Sequence, residues 1–219
     1  FTAADMRPFA KNSRVLGLGE AMAFTDVVAG RGQIMEMLEL FEHGNVDGHA
    51  PGLTGHDLQA YAAAGVKTEH EGTTSAEAAE KARAGFAILV REGSAAHNLS
   101  AIVGGLVDTD MPTERFMFCT DDKHLDDLGR DGHIRWNVKL AIEMGMKPVD
   151  AIRMATWNAA KEYGLKDIGA VAAGYKADLV LLASLKKVEV AQVYKDGIPA
   201  EELVAGIKPF TTADPDIMN

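Results

Sequence analysis

The chain has 219 residues, 47% of them hydrophobic, and a formal net charge of −10, so it can bury the core of one large domain. The acidic balance argues against proteins that bind nucleic acid or acidic membranes, because both surfaces require clustered Lys and Arg. No apolar run approaches the roughly 20 residues needed to cross a bilayer. The single cysteine, Cys119, excludes an internal disulfide and is typical of a cytoplasmic protein.

Short β-like runs alternate with amphipathic helical runs up to about residue 120, which is typical of α/β proteins. Several predicted helices carry start or stop signals, such as Thr74-Ser-Ala-Glu77, which predicts a capping box, and Gly65, which suits a helix end. In chain order, the predicted strands are 15–18 (leading to Glu20), 45–49, 66–70, 86–90 and 116–118.

Five strand–helix units therefore precede residue 121. A TIM-type (β/α)8 barrel has eight such units, so the sequence predicts a partial barrel with about three units upstream of Phe1. A chain that opens with Phe rather than Met favours the same interpretation, namely an internal fragment of a longer protein.

The character of the sequence changes after residue 121. Two helices are predicted at 134–144 and 148–162, followed by two β-rich stretches at 168–182 and 187–197 that suit a small β-domain. The predicted domains are thus a barrel portion at 1–164 and, at 165–219, part of a small β-sandwich with a polar tail.

Potential metal ligands end several of the predicted strands. His49 and His70 end the second and third strands, and Asp121 follows the fifth. Because the carboxyl ends of parallel strands meet at one face of a barrel, we expect these side chains to converge and hold a divalent metal that activates water. Glu20 ends the first strand and is either a bridging ligand or a surface acid.

Asp121 has a second predicted role, since a carboxylate beside a metal can take a proton from attacking water and pass it to a leaving amine. Its neighbour Asp122 either orients the substrate or is a solvated loop acid. Arg91, Glu92 and Ser94 end the fourth strand and could hydrogen-bond a polar substrate, although Arg91 and Glu92 could equally pair with each other.

Two further histidines follow Asp121. His124 and His133 are predicted to lie in a loop that covers the barrel mouth, where either could contact the substrate or be solvated.

Several motifs together resemble the bacterial adenine deaminases of the amidohydrolase superfamily, and the resemblance extends from about Val15 to Gly197. The motifs occur in family order, which makes the combination specific. They are Val46-Asp-Gly-His-Ala-Pro51, Glu69-His-Glu-Gly-Thr73, Arg91-Glu-Gly-Ser-Ala-Ala96, Phe118-Cys-Thr-Asp-Asp-Lys-His124 and Gly132-His-Ile134.

The resemblance implies a two-metal barrel site, with manganese or iron (zinc is an option), that hydrolyses the 6-amino group of adenine to give hypoxanthine and ammonia. By position, Glu20, His49 and His70 match ligands on the fourth, fifth and sixth barrel strands, and Asp121 matches the eighth-strand ligand and proton shuttle. The five predicted strands would then be about strands 4 to 8 of the barrel. The family's first-strand His-x-His pair is absent from these residues.

Two alternatives remain open at this point. One is another amidohydrolase acting on a cyclic amide, like a dihydroorotase or hydantoinase. The other is a truncated, non-catalytic protein that keeps the barrel fold as a binding or structural module. The expected partner is a small-molecule purine, with no nucleic acid and no membrane, and a homo-oligomer is an option.

Overall fold

The structure is a computed structural model of the chain, and it describes residues 1–205. The chain divides into two compact units, one formed by Phe1–Ala170 and one beginning at Val171. The polar tail predicted at 211–219 lies outside the described residues. Among the helices that are described, none combines the length and the apolar character that crossing a membrane requires.

The first unit alternates strands and helices, and this confirms the α/β class that the sequence predicts. Its elements are α1 (Ala3–Met6), β1 (Gly17–Ala21), α2 (Phe24–Val28), α3 (Gln33–Leu40), β2 (Asn45–Gly48), α4 (Gly55–Ala63), β3 (Thr68–Glu69), α5 (Ser75–Arg83), β4 (Ala87–Arg91), α6 (Leu99–Thr109), β5 (Phe116–Cys119), α7 (Leu125–Asp131), α8 (Ile134–Glu143), α9 (Pro148–Ala155) and α10 (Trp157–Glu162).

The five strands of this unit run parallel and neighbour each other in chain order. One ladder joins β1 to β2, and a second joins β3, β4 and β5. The backbone N–H of Lys67 donates to the carbonyl of Val46 at 2.9 Å, linking the two ladders between β2 and β3. Parallel strands in sequential order, each followed by a helix, are the arrangement found in a (β/α)8 barrel, so the topology fits part of one.

The core of this unit lies between the strands and the helices that follow them. Ile88 and Val90 of β4 and Phe116 of β5 are at most 1% exposed. Burying this apolar surface against the helices fixes the strands side by side and so holds their carboxyl ends at one edge. On α6 the buried positions recur at helical spacing: Leu99, Ile102, Val103 and Leu106.

One predicted helix is interrupted in the structure. The helix predicted at 148–162 is interrupted at Thr156, whose φ of −134° and ψ of −85° are not helical. The Thr156 hydroxyl donates to the carbonyl of Ile152 at 2.7 Å, a local bond that competes with the helical ladder. Before α6 begins at Leu99, Glu92 and His97 form a β-bridge.

The second unit contains a small antiparallel sheet. The strand predicted from residue 168 begins only at Leu179, since turns and bends occupy much of 168–178 and Gly169 and Gly174 there adopt positive φ. β6 pairs with β7, and β7 pairs with β8. The described elements are β6 (Leu179–Ser184), β7 (Glu189–Lys195), β8 (Ile198–Pro199) and α11 (Ala200–Ala205).

Candidate metal centre and active site

Three predicted ligands meet at the carboxyl ends of β1, β2 and β3. Nδ1 of His49 lies 2.7 Å from Oε1 of Glu20, and Nε2 of His70 lies 3.0 Å from the same oxygen. The two imidazole rings are 5.8 Å apart between centroids and nearly perpendicular. The convergence follows from the parallel order, because Glu20 lies near the end of β1 and each histidine directly follows its strand.

A fourth group at this position, Glu71, is one that the sequence reasoning missed. Its Oε1 lies 3.4 Å from Nδ1 of His49 and 3.4 Å from Nε2 of His70. The ligand atoms of Glu20, His49, His70 and Glu71 all lie within 4.8 Å of one another. Two imidazoles and two carboxylates are a donor set that suits zinc, manganese or iron, so this group, here called the ligand cluster, can hold a divalent metal.

Strand alternation gives no sign of Glu71. Neighbouring residues of a strand point to opposite faces, so His70 and Glu71 would be expected to diverge. β3 ends at Glu69, so the alternation of a strand does not apply to His70 and Glu71. The usable signal was the position of Glu71 immediately after a strand end that already carries a ligand.

Arg91 connects the ligand cluster to Asp121. Its Nη1 lies 2.5 Å from Oε1 of Glu71 and 2.7 Å from Oδ2 of Asp121, while Nη2 lies 3.0 Å from Oε2 of Glu71. A guanidinium offers this fork of donors to carboxylates. Burial alone would lower the pKa of Arg91, but the hydrogen bonds that Arg91 donates to Glu71 and Asp121 outweigh burial and raise it. Arg91 is therefore a permanent cation between two acids.

The alternative pairing of Arg91 with Glu92 is wrong. Glu92 instead contacts His97, with 2.7 Å between Oε1 and Nδ1. These two residues also form the β-bridge that precedes α6. Glu92 therefore stabilises the turn after β4.

Asp121, although predicted as a ligand, is not among the four residues whose ligand atoms lie within 4.8 Å of one another, and Arg91 links it to that cluster. Its backbone adopts φ of +54°, a left-handed conformation that Asp and Asn tolerate better than most residues. Its side chain is 35% exposed, whereas that of Arg91 is 9% exposed. The carboxylate is thus held by Arg91 and remains partly open to solvent. Nearby, burial raises the pKa of the Cys119 thiol to about 12, so this cysteine is an unreactive thiol.

Tyr61 is a second residue that sequence reasoning missed. Its hydroxyl accepts from the backbone N–H of His49 at 3.0 Å and donates to the carbonyl of Ala21 at 2.9 Å. The side chain is fully buried, and burial raises the pKa of Tyr61 to about 12. This neutral hydroxyl ties the end of β1 to the residue that carries an imidazole ligand.

Ser94 and His124 are brought together on the other side of Asp121. The Ser94 hydroxyl donates to Oδ2 of Asp127 at 2.5 Å and accepts from the backbone N–H of His124 at 2.8 Å. The predicted loop that carries His124 and His133 contains a helix, because α7 occupies Leu125–Asp131 between the two histidines. Asp127, in the first turn of α7, stabilises the helix N-terminus.

Asp122 and His133 surround the same turn. The backbone N–H of Ser94 donates to the carbonyl of Asp122 at 2.8 Å. Gly93 allows this approach, because a Cβ there would collide with the carbonyls of Thr120 and Asp122. Nε2 of His133 lies 3.2 Å from the Thr120 hydroxyl. These contacts place Ser94, Asp122, His124 and His133 next to the turn that carries Asp121, and several of their polar groups are engaged by neighbouring protein groups.

Comparison with known proteins adds to this geometry. Residues 4–199 match the family described as "Amidohydrolase family". The chain belongs to the amidohydrolase family. Among curated proteins, this amidohydrolase is 48% identical over 210 residues to the adenine deaminase of Desulfitobacterium hafniense (strain Y51), a match covering 95% of this chain and 37% of the relative. It is 43% identical over 197 residues to the adenine deaminase of Listeria innocua, covering 89% of this chain and 34% of the relative.

These matches confirm the resemblance to adenine deaminases that the motifs indicate. The amidohydrolase chain spans about a third of the length of the curated relatives it matches. Among solved structures, the fold is similar to a beta-aspartyl dipeptidase from Fervidobacterium islandicum AW-1, with a TM-score of 0.64, 14% identity, and coverage of 89% of this chain and 60% of that one. A molinate hydrolase matches with a TM-score of 0.59 and 14% identity, and the match covers 98% of this chain and 58% of that one. At this identity the likeness shows the fold alone.

Proposed function

We propose that the protein is an adenine deaminase, which hydrolyses the 6-amino group of adenine to give hypoxanthine and ammonia. The observation that carries the proposal is the convergence of Glu20, His49 and His70 at the ends of three sequential parallel strands. The identity of 48% to a protein named adenine deaminase supports the choice of substrate within the amidohydrolase family.

The ligand cluster would hold the metal. A bound divalent ion in such a site lowers the pKa of water and polarises the group under attack. We assign manganese or iron, with zinc as a third candidate, and two ions per complete site. We further assign β1 to β5 as barrel strands 4 to 8, so that the first-strand His-x-His pair would be supplied by sequence outside these residues.

Asp121 would move the proton in this reaction. Its carboxylate accepts a proton from the water that adds to C6 of adenine and delivers it to the amino nitrogen, which leaves as ammonia. Arg91 holds one oxygen of this carboxylate, with Nη1 2.7 Å from Oδ2, and this contact orients the group. General acid–base catalysis of this kind contributes about 10²–10⁴-fold.

The polar residues around Asp121 are proposed to bind the purine. Asp122 and His124 are exposed near Asp121, and a purine ring offers nitrogen donors and acceptors to such side chains. Four further residues would border the base: Arg91, Glu92, Ser94 and His133. The expected partner is the small-molecule substrate in the cytoplasm, and self-association remains a prediction.

The test uses the full-length form, meaning the protein that contains these residues at the length of its adenine deaminase relatives. Loaded with manganese, it should convert adenine to hypoxanthine with one ammonia released per turnover. A panel that includes dihydropyrimidines and hydantoins separates this activity from cyclic-amide hydrolysis. Turnover of a cyclic amide without turnover of adenine would replace the proposal, and no turnover of any aminopurine would reject it.

A further inference from the structure

A buried ion pair lies beneath the ligand cluster, between Glu69 and Lys81. Both side chains are fully buried, and Nζ of Lys81 lies 3.1 Å from Oε2 of Glu69. Lysine and glutamate are almost never fully buried without a partner, because removing each charge from water is costly. The pair is distinct from the four ligands, and the proton transfer proposed above does not use it.

The Glu69 carboxylate accepts hydrogen bonds from the loops that follow β2 and β3. Its Oε1 accepts from the backbone N–H of Glu71 at 2.9 Å and of Ala50 at 3.3 Å, and its Oε2 accepts from the N–H of Gly72 at 3.2 Å. Ala50 directly follows His49, and Glu71 directly follows His70. One buried side chain thus fixes the backbone next to both imidazoles and at the fourth ligand itself.

Lys81 closes the network from α5. Its ammonium donates to the carbonyl of Ala50 at 2.7 Å and to Oε1 of Glu77 at 2.7 Å. Glu77 in turn accepts from the backbone N–H of Gly52 at 2.9 Å and of Thr73 at 3.2 Å. Each polar contact in this network of Glu69, Lys81 and Glu77 either ends on one of the two loops that carry metal ligands or leads to one.

We propose that Glu69 and Lys81 are positioning residues that set the metal affinity of the ligand cluster by fixing the two loops that carry His49, His70 and Glu71. This inference rests on the proposed metal function and adds residues that contact no metal, substrate or reacting atom. Groups that orient metal ligands typically change metal affinity or activity by about 10–100-fold when they are replaced.

The experiment measures manganese affinity of the full-length form by competition with a chelator, alongside thermal unfolding of the metal-free protein. Glu69→Gln and Lys81→Met should each weaken metal binding about 10–100-fold, and the double variant should lose no more than the worse single variant, because the two residues act as one unit. Excess manganese should restore kcat for adenine with KM unchanged.

Asn158→Ala is the matched control. Asn158 is also buried, and its amide donates to the carbonyls of Thr113 and Phe116 at the start of β5, away from the strand ends. It should lower the unfolding temperature while leaving metal affinity within about twofold. Should Lys81→Met fail to fold, Glu77→Gln probes the same network from its partly exposed edge and should weaken binding in the same direction.

The outcomes separate the two proposals. Unchanged metal affinity in folded Glu69→Gln or Glu77→Gln protein, with only a lower unfolding temperature, would show that the pair is structural and overturn the inference while the proposed function stands. A wild-type protein that binds no divalent metal would overturn the proposed function and this inference together.

Discussion

Arg91 donates a hydrogen bond to Asp121, with 2.7 Å between Nη1 and Oδ2. Arg91 is the last residue of β4, and Asp121 lies just beyond the end of the neighbouring strand, β5. The same guanidinium binds both oxygens of Glu71. Arg91 thus holds two acids near each other that would otherwise repel.

Replacing Arg91 by Met should therefore destabilise the full-length form. Hydrogen bonds to charged groups contribute about 1.5–3 kcal/mol each, and Arg91 makes three of them, so the free energy of unfolding in urea should fall by at least about 1.5–3 kcal/mol. Arg31→Met is the control, because the Arg31–Asp26 pair is exposed and such pairs contribute at most about 1 kcal/mol. Equal losses in the two variants would contradict the role of Arg91.

Asp121→Asn should remove the proton carrier and keep the fold. Asn tolerates the left-handed backbone at this position and is nearly the same size, so the unfolding temperature should change little. The kcat for adenine should fall about 10²–10⁴-fold, which a continuous assay of adenine absorbance measures. Retention of substantial activity would remove Asp121 from the proton-transfer role.

Removing the metal should abolish activity, and replacing a histidine of the ligand cluster should make that activity harder to restore with manganese. Dialysis against a chelator is expected to inactivate the full-length form, and manganese should restore it. In His70→Ala the restored activity should require much higher manganese concentrations, whereas His56→Ala, a change on the exposed first turn of α4, should recover like wild type. Identical recovery of both variants would argue against the ligand cluster.

The pH dependence of stability should reveal the contacts of Glu77. Burial raises its pKa, but hydrogen bonds from Lys81 and from the N–H groups of Thr73 and Gly52 outweigh burial and lower it below its ordinary value of 4.5. A carboxyl whose pKa is lower in the folded state stabilises the protein above about pH 4.5, and this contribution is lost as pH falls through the folded pKa.

Comparison of wild type with Glu77→Gln tests this sign. Their difference in unfolding free energy should be largest near pH 7 and should shrink as the pH drops below about 4. Glu36→Gln makes the same chemical change on an exposed turn and should stay within about 0.5 kcal/mol of wild type throughout. A Glu77→Gln difference that grows on acidification would refute the assigned contacts.

The predictions for Glu20, His49 and His70 needed only strand positions. Each residue ends or follows a short apolar run, and parallel strands in sequential order place such residues together. The strand bounds shifted by a few residues without moving these side chains away from the edge. Their roles as metal ligands remain predictions that the proposed experiments address.

The buried ion pair of Glu69 and Lys81 was not predictable in the same way. Lys81 lies in the charged helix stretch Ser75–Arg83, where the sequence pattern is typical of a solvated face. Its burial depends on Glu69, twelve residues earlier, and on a carbonyl of the β2 loop. Only the packed structure brings these groups within reach, so neither periodicity nor capping signals indicate the pair.

The most direct test of the central claim is the anomalous diffraction of crystals of the full-length form grown with manganese. The expected result is a manganese peak within bonding distance of the side chains of the ligand cluster, Glu20, His49, His70 and Glu71. Manganese bound elsewhere, with no peak among these four side chains, would contradict it.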